Sequence, residues 1–456
     1  MTDLIAPTPE SFDLECQTVI IGAGACGLVA ALSAHEAGQE VLVIEADAVP
    51  SGSTALSAGL IPAAGTAIQR AAGIEDDPAL FASDIQAKAH GENDPALVDL
   101  MARHAAGVID WLADTHRLPF SVVTNFDYPG HSRRRMHGLP SRSGAELVNA
   151  LRAACEAQEI DIICERRAET LFHRGDRITG LRVTRPDGGT ETIGCDRLIL
   201  ACNGFGGNRD LVAQHMPDIR DGLWFGHDGN RGEAIRWGAE LGAGLAHLGA
   251  YQGHGNVAHP HGILITWAVI TQGGVQVNRE GQRFWDESQG YSEAARAVLG
   301  QPGGEAFAIF DGRIAEIAAQ FEDFKQAQSV GAVRRHDTIE GLAQDLGLPA
   351  DRLAQTIAEL PREGTDAFGR SFSGPALQAP FCGVRVTGAL FHTQGGLRVN
   401  EAAKVCKSDG GTFDNLYAGG GAACGVSGKG DSGYLSGNGL LAAVVLGRLA
   451  GQASAG

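Results

Sequence analysis

Patterned cysteine, aromatic side chains, positive charge and long apolar runs are all scarce in this chain, and each absence removes a class of function. Its 456 residues include nine cysteines, none in a Cys-x-x-Cys pair or followed by the histidine of a haem-attachment site. Zinc-ribbon, haem and common iron–sulfur patterns are thereby excluded, and an odd count fits a reducing compartment better than secretion. His254, His259 and His261 lie close in sequence, but no carboxylate or cysteine completes a ligand set, so no metal is expected. With 36 Lys+Arg against 54 Asp+Glu the formal net charge is −18, which repels nucleic acid and anionic membranes. No apolar stretch reaches the roughly 18 residues that span a bilayer, and the N-terminus has neither a basic nor an apolar signal region. These absences predict a cytoplasmic protein without nucleic-acid or membrane partners, whose residues Met1 to Leu14 form a disordered tail. Aromatics are only 6% of the chain whereas glycines number 64, so many tight turns are expected, and the length predicts two domains.

What is present begins with Thr18-Val19-Ile20-Ile21, an apolar run suited to a buried parallel strand, followed by Gly22-Ala23-Gly24-Ala25-Cys26-Gly27. In such a GxGxxG turn the first glycine allows the bend, the second lets backbone approach a pyrophosphate, and the third lets the following helix pack on the strand. That helix, predicted over 28–37, aims its positive end at the phosphates. A second strand, Val41-Leu42-Val43-Ile44, ends in Glu45, which stands 23 residues past Gly22, about where a carboxylate meets the ribose hydroxyls of an adenosine. An acid there disfavours a 2′-phosphate, so FAD or NAD is implied and NADP is not. Cys26 is expected to be a small packing residue.

Further along, Ser51 to Gly59 is a small-residue loop whose amides and hydroxyls suit another part of the cofactor. Helical patterns follow over 94–112 and 144–155, then a hairpin over 178–184 and 191–195. A strand over 197–202 enters Asn203-Gly204-Phe205-Gly206-Gly207-Asn208 and returns the chain to the nucleotide domain. Between about 250 and 391 the pattern changes, with histidines, aromatics and a helical stretch over 312–327, as in an inserted cap. The chain closes with a strand, a glycine-rich loop through Ser436-Gly437-Asn438-Gly439 and a terminal helix. A helix start presented on glycines stabilises the negative charge of a reduced isoalloxazine, which a nicotinamide does not require.

Over nearly its whole length the chain resembles the fumarate reductase and ketosteroid dehydrogenase superfamily of FAD flavoproteins. The motifs that carry the resemblance are the 22–27 turn with 41–47, the loop 51–66, residues 201–208, 274–288, His392-Thr393-Gln394-Gly395-Gly396, and 416–421 followed by 434–451. The resemblance implies an α/β fold: a Rossmann-like FAD-binding domain of the glutathione-reductase type in two parts, 1–249 and 392–456, with an inserted α+β capping domain, 250–391. It implies FAD held by Gly22, Gly24, Ala25, Cys26, Gly27, Glu45, Ala46, Ser53, Thr54, Ser57, Gly59, Ala201, Asn203, Gly204, Gly420, Ser436, Gly437, Asn438, Gly439 and Leu440. The 51–59 loop lacks the histidine to which respiratory members attach flavin, so noncovalent FAD is expected.

Likeness to the fumarate-reducing members rests on His259, Thr266 and His392, and fails where chemistry is decided. Trp267 stands where they carry a glutamate, Tyr291 where they carry a proton-donating arginine, and Tyr434 where a second arginine clamps a carboxylate. Each lost charge-assisted pair costs a dicarboxylate about 1.5–3 kcal/mol, because a phenol does not replace a bidentate guanidinium. Tyr291 and Tyr434 resemble instead the paired tyrosines of 3-ketosteroid dehydrogenases. In that scheme Tyr434 and backbone near Asn438 clamp a carbonyl, Tyr291 is the base, and His259 or His392 relays its proton. Thr266, Trp267 and Asn438 line the pocket. The 3-ketosteroid enzymes take their backbone donor from a glycine where Asn438 stands, so a smaller ring is equally open. The expectation is α,β-desaturation of a cyclic ketone with an external electron acceptor or oxygen; the alternative is reduction of an activated alkene such as an unsaturated carboxylate. An arginine of Arg133-Arg134-Arg135 contacting FAD or a substrate carboxylate is a lesser option. A flavin subunit without its own chemistry is disfavoured by the lack of cluster or haem motifs.

Overall fold

The computed structural model describes residues 3–124 and 127–453, which divide into two compact units. The first comprises Met1–His215, Gly226–Tyr251 and His392–Gly456, the second Met216–Phe225 and Gln252–Phe391.

The first unit is built on a mostly parallel sheet. Its parallel core runs in the order Thr412–Ala418, Thr190–Leu200, Leu14–Ile21, Val41–Ile44, Asp161–Ile163, with Leu198 opposite Val19 and Val19 opposite Leu42. Strands buried on both faces must be apolar at successive positions, which is why 18–21 and 41–44 do not alternate. The hairpin forms as expected, Arg177–Thr184 against Thr190–Leu200, but the second strand runs on without a break into the parallel core. Helix Ala25–Glu36 is buried over its first ten residues because the terminal helix Asn438–Gln452 lies against it. The approach is close: a Cβ at Gly447 would stand 2.5 Å from Cys26 O, and one at Gly451 2.5 Å from Ala30 O.

The expected disordered tail is corrected. Met1 and Thr2 lie outside the described residues, but Ile5–Pro7 forms a strand parallel to Leu171–His173, Thr8 Oγ1 meets Thr179 Oγ1 at 2.8 Å, and Leu14 already begins a core strand. A sheet edge supplied the partner, which no local signal announces.

The second unit holds a seven-stranded sheet ordered Ile263–Leu264, Tyr251–Ala258, Phe381–Thr393, Glu305–Asp311, Val275–Val277, with Leu223–Trp224 and Arg334–His336 also pairing with the long strand Phe381–Thr393. That pairing assigns 216–225 to this unit rather than to the first. Helices Ala268–Thr271, Tyr291–Leu299 and Gly312–Ala318 pack on its strand Glu305–Asp311, and the stretch expected as one helix over 312–327 is two, Gly312–Ala318 and Glu322–Ser329. A buried ion cluster braces the segment before Tyr291: Glu287 binds Arg283 and Arg370, Arg283 also binds Asp366, and Glu287 Oε1 accepts from Gln276 N at 2.9 Å. Among the described residues no helix is long and apolar enough to cross a membrane.

Candidate active site

The nucleotide end of the first unit forms because two of its glycines stand where no side chain fits. Gly22 has φ +106°, and a Cβ there would lie 2.5 Å from Ala201 O; one at Gly27 would lie 1.8 Å from Gly22 O. Gly24 differs, since a Cβ would meet only Thr54 Oγ1 at 3.4 Å, so its backbone is open to close approach at the start of a twelve-residue helix. Thr54 Oγ1 accepts from Ala25 N at 3.1 Å, tying the 51–59 segment, which contains the short helical turn Gly52–Ala55, to this helix start. Glu45 is buried, with Oε2 accepting from Ala23 N at 2.8 Å and Oε1 from Asp47 N at 2.9 Å. Each carboxylate oxygen keeps a further lone pair for a ribose hydroxyl. Ala46 follows it directly.

Ser53 Oγ accepts from both Asn203 Nδ2 and Asn230 Nδ2 at 2.8 Å, joining the 51–59 segment to the turn after Leu200, where Asn203 takes φ +67° and Gly204 N donates to Asn203 Oδ1. Ser57 and Gly59 serve packing: Ser57 Oγ donates to Thr54 O at 2.7 Å, and a Cβ at Gly59 would lie 2.7 Å from Ser143 O. Gly420, at φ +57°, lies over Cys26. Cys26 is fully enclosed and its thiol is pushed up to about 12 by burial, as suits a packing residue. Near the terminal helix, Ser436 O receives His131 Nε2 at 3.0 Å and Gly437 takes φ +87° against Pro62.

The same unit carries a group of neutral hydrogen-bonding side chains at the start of the terminal helix. Around the point where a Cβ on Gly439 would stand, Gln394 Nε2, Tyr434 Oη and His392 Cε1 lie at 3.7, 3.8 and 3.9 Å. The Tyr434 hydroxyl is held up to about 12 by burial, which outweighs the backbone N–H groups of Gly439 and Gly437 that face its oxygen. It is therefore a donor at any physiological pH. Burial takes His392 down to about 4, and its Nδ1 meets Gln394 Nε2 at 2.8 Å. Asn438 is fully buried, donates from Nδ2 to Ser427 Oγ at 3.1 Å, and leaves Oδ1 without a partner. An orphaned acceptor, the open backbone at Gly24 and the carboxylate of Glu45 together fit FAD, which these residues would hold.

In the second unit four rings stack nearly parallel: Tyr291 on His254 at 5.0 Å and 20°, His254 on Phe391 at 5.3 Å and 24°, Phe391 on Phe225 at 4.6 Å and 15°. Trp267 stands edge-on to His254 at 5.8 Å, and Trp285 follows it, donating from Nε1 to Gln276 Oε1 at 3.0 Å. Burial lowers His254 to about 3 and Asn256 N donates to its Nδ1, so the ring is neutral with its proton on Nε2. Thr266 Oγ1 accepts from Ala268 N at 3.3 Å, just ahead of the short helix Ala268–Thr271.

Two sequence expectations are corrected here. His259 lies outside the ring stack; its Nε2 is 3.2 Å from Glu305, a carboxylate also bound by Arg279 and Arg385, so it is occupied in a half-exposed ion cluster and does not serve as a relay to Tyr291. Of the arginine run, Arg135 is fully buried against Asp76 and Asp84, Arg134 pairs with Asp127, and Arg133 donates to the carbonyls of Glu75 and Ser132. These contacts account for all three within the protein. The sequence also left His254, Phe225, Phe391, Gln394 and Ser427 unassigned. Only Gln394 had a signal, standing two residues from His392 in an extended run.

The FAD binding domain family matches residues 17–440. A probable fumarate reductase of Shewanella frigidimarina is 31% identical over 96% of this chain and 74% of its own length. A 4-oxocyclohexanecarboxylate 2-dehydrogenase of Sinomonas cyclohexanicum is 24% identical over 96% of this chain and 92% of its own. Among solved structures, the 3-ketosteroid Δ4-(5α)-dehydrogenase of Rhodococcus jostii RHA1, in complex with 4-androstene-3,17-dione, superposes with a TM-score of 0.78 at 25% identity, covering 98% of each chain.

Proposed function

Because this chain belongs to the FAD binding domain family of flavoprotein oxidoreductases, we propose that it desaturates a cyclic ketone at the α,β-position, either a 3-ketosteroid or a smaller cyclohexanone-type ring. Electrons then pass to an external acceptor or oxygen, and the second unit serves as the capping domain. The carrying observation is the convergence of uncharged groups, Tyr434, His392 and Gln394, over Gly439 at a helix start.

Neutral donors suit a ketone. They bind an uncharged carbonyl without the desolvation that a buried guanidinium would need, and they strengthen as enolate charge grows on the oxygen. Tyr434 is assigned the carbonyl oxygen, with His392 as a second donor and the helix start adding positive potential. Tyr291 is assigned the α-proton. The β-hydrogen leaves with its electron pair, so one proton and one hydride are lost and a carbon–carbon double bond forms. FAD, when bound, supplies the two-electron acceptor for that hydride. The names of the Sinomonas and Rhodococcus relatives support a ring ketone.

A second reading, reduction of an unsaturated carboxylate, is favoured by the 31% identity to a probable fumarate reductase. Tyr291 and Tyr434 at the arginine positions count against it. The test is anaerobic mixing of the yellow holoprotein with a 3-ketosteroid and with a cyclohexanone carboxylate. Bleaching of the flavin by a saturated ketone is expected. No bleaching, with reoxidation of reduced flavin by fumarate or another enoate, would reverse the assignment.

A further inference from the structure

The polar side chains beneath His392 form a continuous hydrogen-bonded chain. Asn438 Nδ2 donates to Ser427 Oγ at 3.1 Å, Ser427 Oγ donates to Gln394 Oε1 at 3.0 Å, and Gln394 Nε2 then faces His392 Nδ1 at 2.8 Å. The three side chains that lead to the histidine are nearly inaccessible: Gln394 is 3% exposed, Ser427 1% and Asn438 0%. Water therefore does not scramble the order, and each group has one role left once its neighbour's is set. Gln394 is also pinned by its backbone, with its N–H on Ala250 O at 2.8 Å and its carbonyl accepting from Gly425 N at 2.9 Å.

Electrostatics choose between the two senses of the chain. Asn438 is the first residue of a fifteen-residue helix, and its Oδ1 is buried with no partner. A carbonyl oxygen is stabilised at the positive end of a helix, whereas the reversed chain would turn an amide NH2 group there. With Oδ1 at the helix start, Nδ2 must donate to Ser427, Ser427 to Gln394, and Gln394 to the imidazole.

We propose that Gln394, Ser427 and Asn438 are positioning residues that hold His392 as the neutral Nε2–H tautomer, making the ring a hydrogen-bond donor and removing it as a base. Its service to a ketone or enolate oxygen rests on the proposed desaturation; the tautomer itself does not. The cation alternatives are closed as well, since a glutamine, unlike a carboxylate, gives no stabilisation to an imidazolium. An arrangement of this kind discriminates by chemistry: a neutral N–H donor suits a carbonyl and gives no charge pair to a carboxylate.

The test is a long-range 1H–15N correlation spectrum of 15N-histidine-labelled holoprotein without substrate, with His392 assigned by its loss in His392→Asn. The expected pattern is a protonated Nε2 and a bare Nδ1. In Gln394→Glu the carboxylate accepts only, so the proton should move to Nδ1, and turnover of an active ketone should fall on the order of 3–10-fold with KM changed by no more than about twofold. Ser427→Ala frees the Gln394 amide to rotate and should give a mixture of tautomers. A wild-type Nδ1–H pattern, or a Gln394→Glu spectrum unchanged from wild type, would overturn the proposal. If Gln394→Glu fails to fold, the wild-type and Ser427→Ala spectra decide. Because the tautomer is read without substrate, an inactive ketone panel removes the desaturase reading alone, and an Nδ1–H spectrum in an active desaturase removes this proposal alone.

Discussion

Replacing Tyr434 by phenylalanine removes one oxygen and preserves the ring, so its consequences separate into two magnitudes. Tyr434 is buried, its phenol is held up to about 12, and the N–H groups of Gly439 and Gly437 face its oxygen. Losing that oxygen leaves two helix-start donors less well satisfied, a cost of about 1–3 kcal/mol in stability. The effect on turnover should be larger. A preorganised donor aimed at a developing enolate contributes about 10²–10³-fold to the rate, equivalent to about 2.7–4 kcal/mol of barrier. Since the contact strengthens mainly as charge develops, kcat should fall far more than KM rises. The assay is stopped-flow bleaching of the flavin by a ketone under anaerobic conditions, with flavin content and ketone affinity measured in parallel. A second signature concerns pH. A phenol with an ordinary pKa near 10 would stop donating just above that value, whereas Tyr434 should remain a donor until close to 12. A fall of less than about 3-fold in the flavin-loaded variant would remove Tyr434 from the mechanism.

Acid should destabilise the fold through its buried histidines. Burial lowers His131, His137 and His392 to about 4 and His254 to about 3, so each is neutral when folded. Unfolded, each titrates near 6.5; the stability they contribute is complete above that pH and is lost as pH falls toward 4. Four protons gained on unfolding give a slope of up to about 5 kcal/mol per pH unit, read as a steep drop in the apparent Tm between pH 6.5 and 4; a flat profile would contradict it. In the second unit, Glu287→Ala should destabilise by about 3–5 kcal/mol, since Arg283 and Arg370 would lose their shared buried carboxylate. Asp99→Ala, which breaks an exposed pair with Arg103, should change stability by less than about 1 kcal/mol in the same denaturant titration.

The nucleotide fingerprint was legible in the sequence because its causes are local. A strand, a bend and a helix start lie within about ten residues, Gly22 and Gly27 are demanded by backbone contacts as short as 1.8 Å, and Glu45 follows at the end of the next strand. Family likeness carried the FAD assignment and picked out Tyr434 and His392, which the structure brings to one helix start. Where partners are distant in sequence, local pattern failed. Residues 5–7 gained order only by pairing with 171–173, and Arg135 was neutralised by Asp76 and Asp84, some fifty residues or more away.

His259 and His254 show the division most clearly. Both are histidines in the same run, and composition does not rank them. The sequence by itself determined only that histidines and aromatics gather between about 250 and 391. Only the tertiary structure decided that His254 joins Tyr291 and Phe391 in a neutral stack while His259 is taken by Glu305. The same holds for Gln394, Ser427 and Asn438, whose order as donors and acceptors exists only once burial has excluded water and a helix end has fixed the sign of the local field. Local backbone geometry is written in neighbouring residues, whereas protonation and pairing depend on which distant groups share a dry volume.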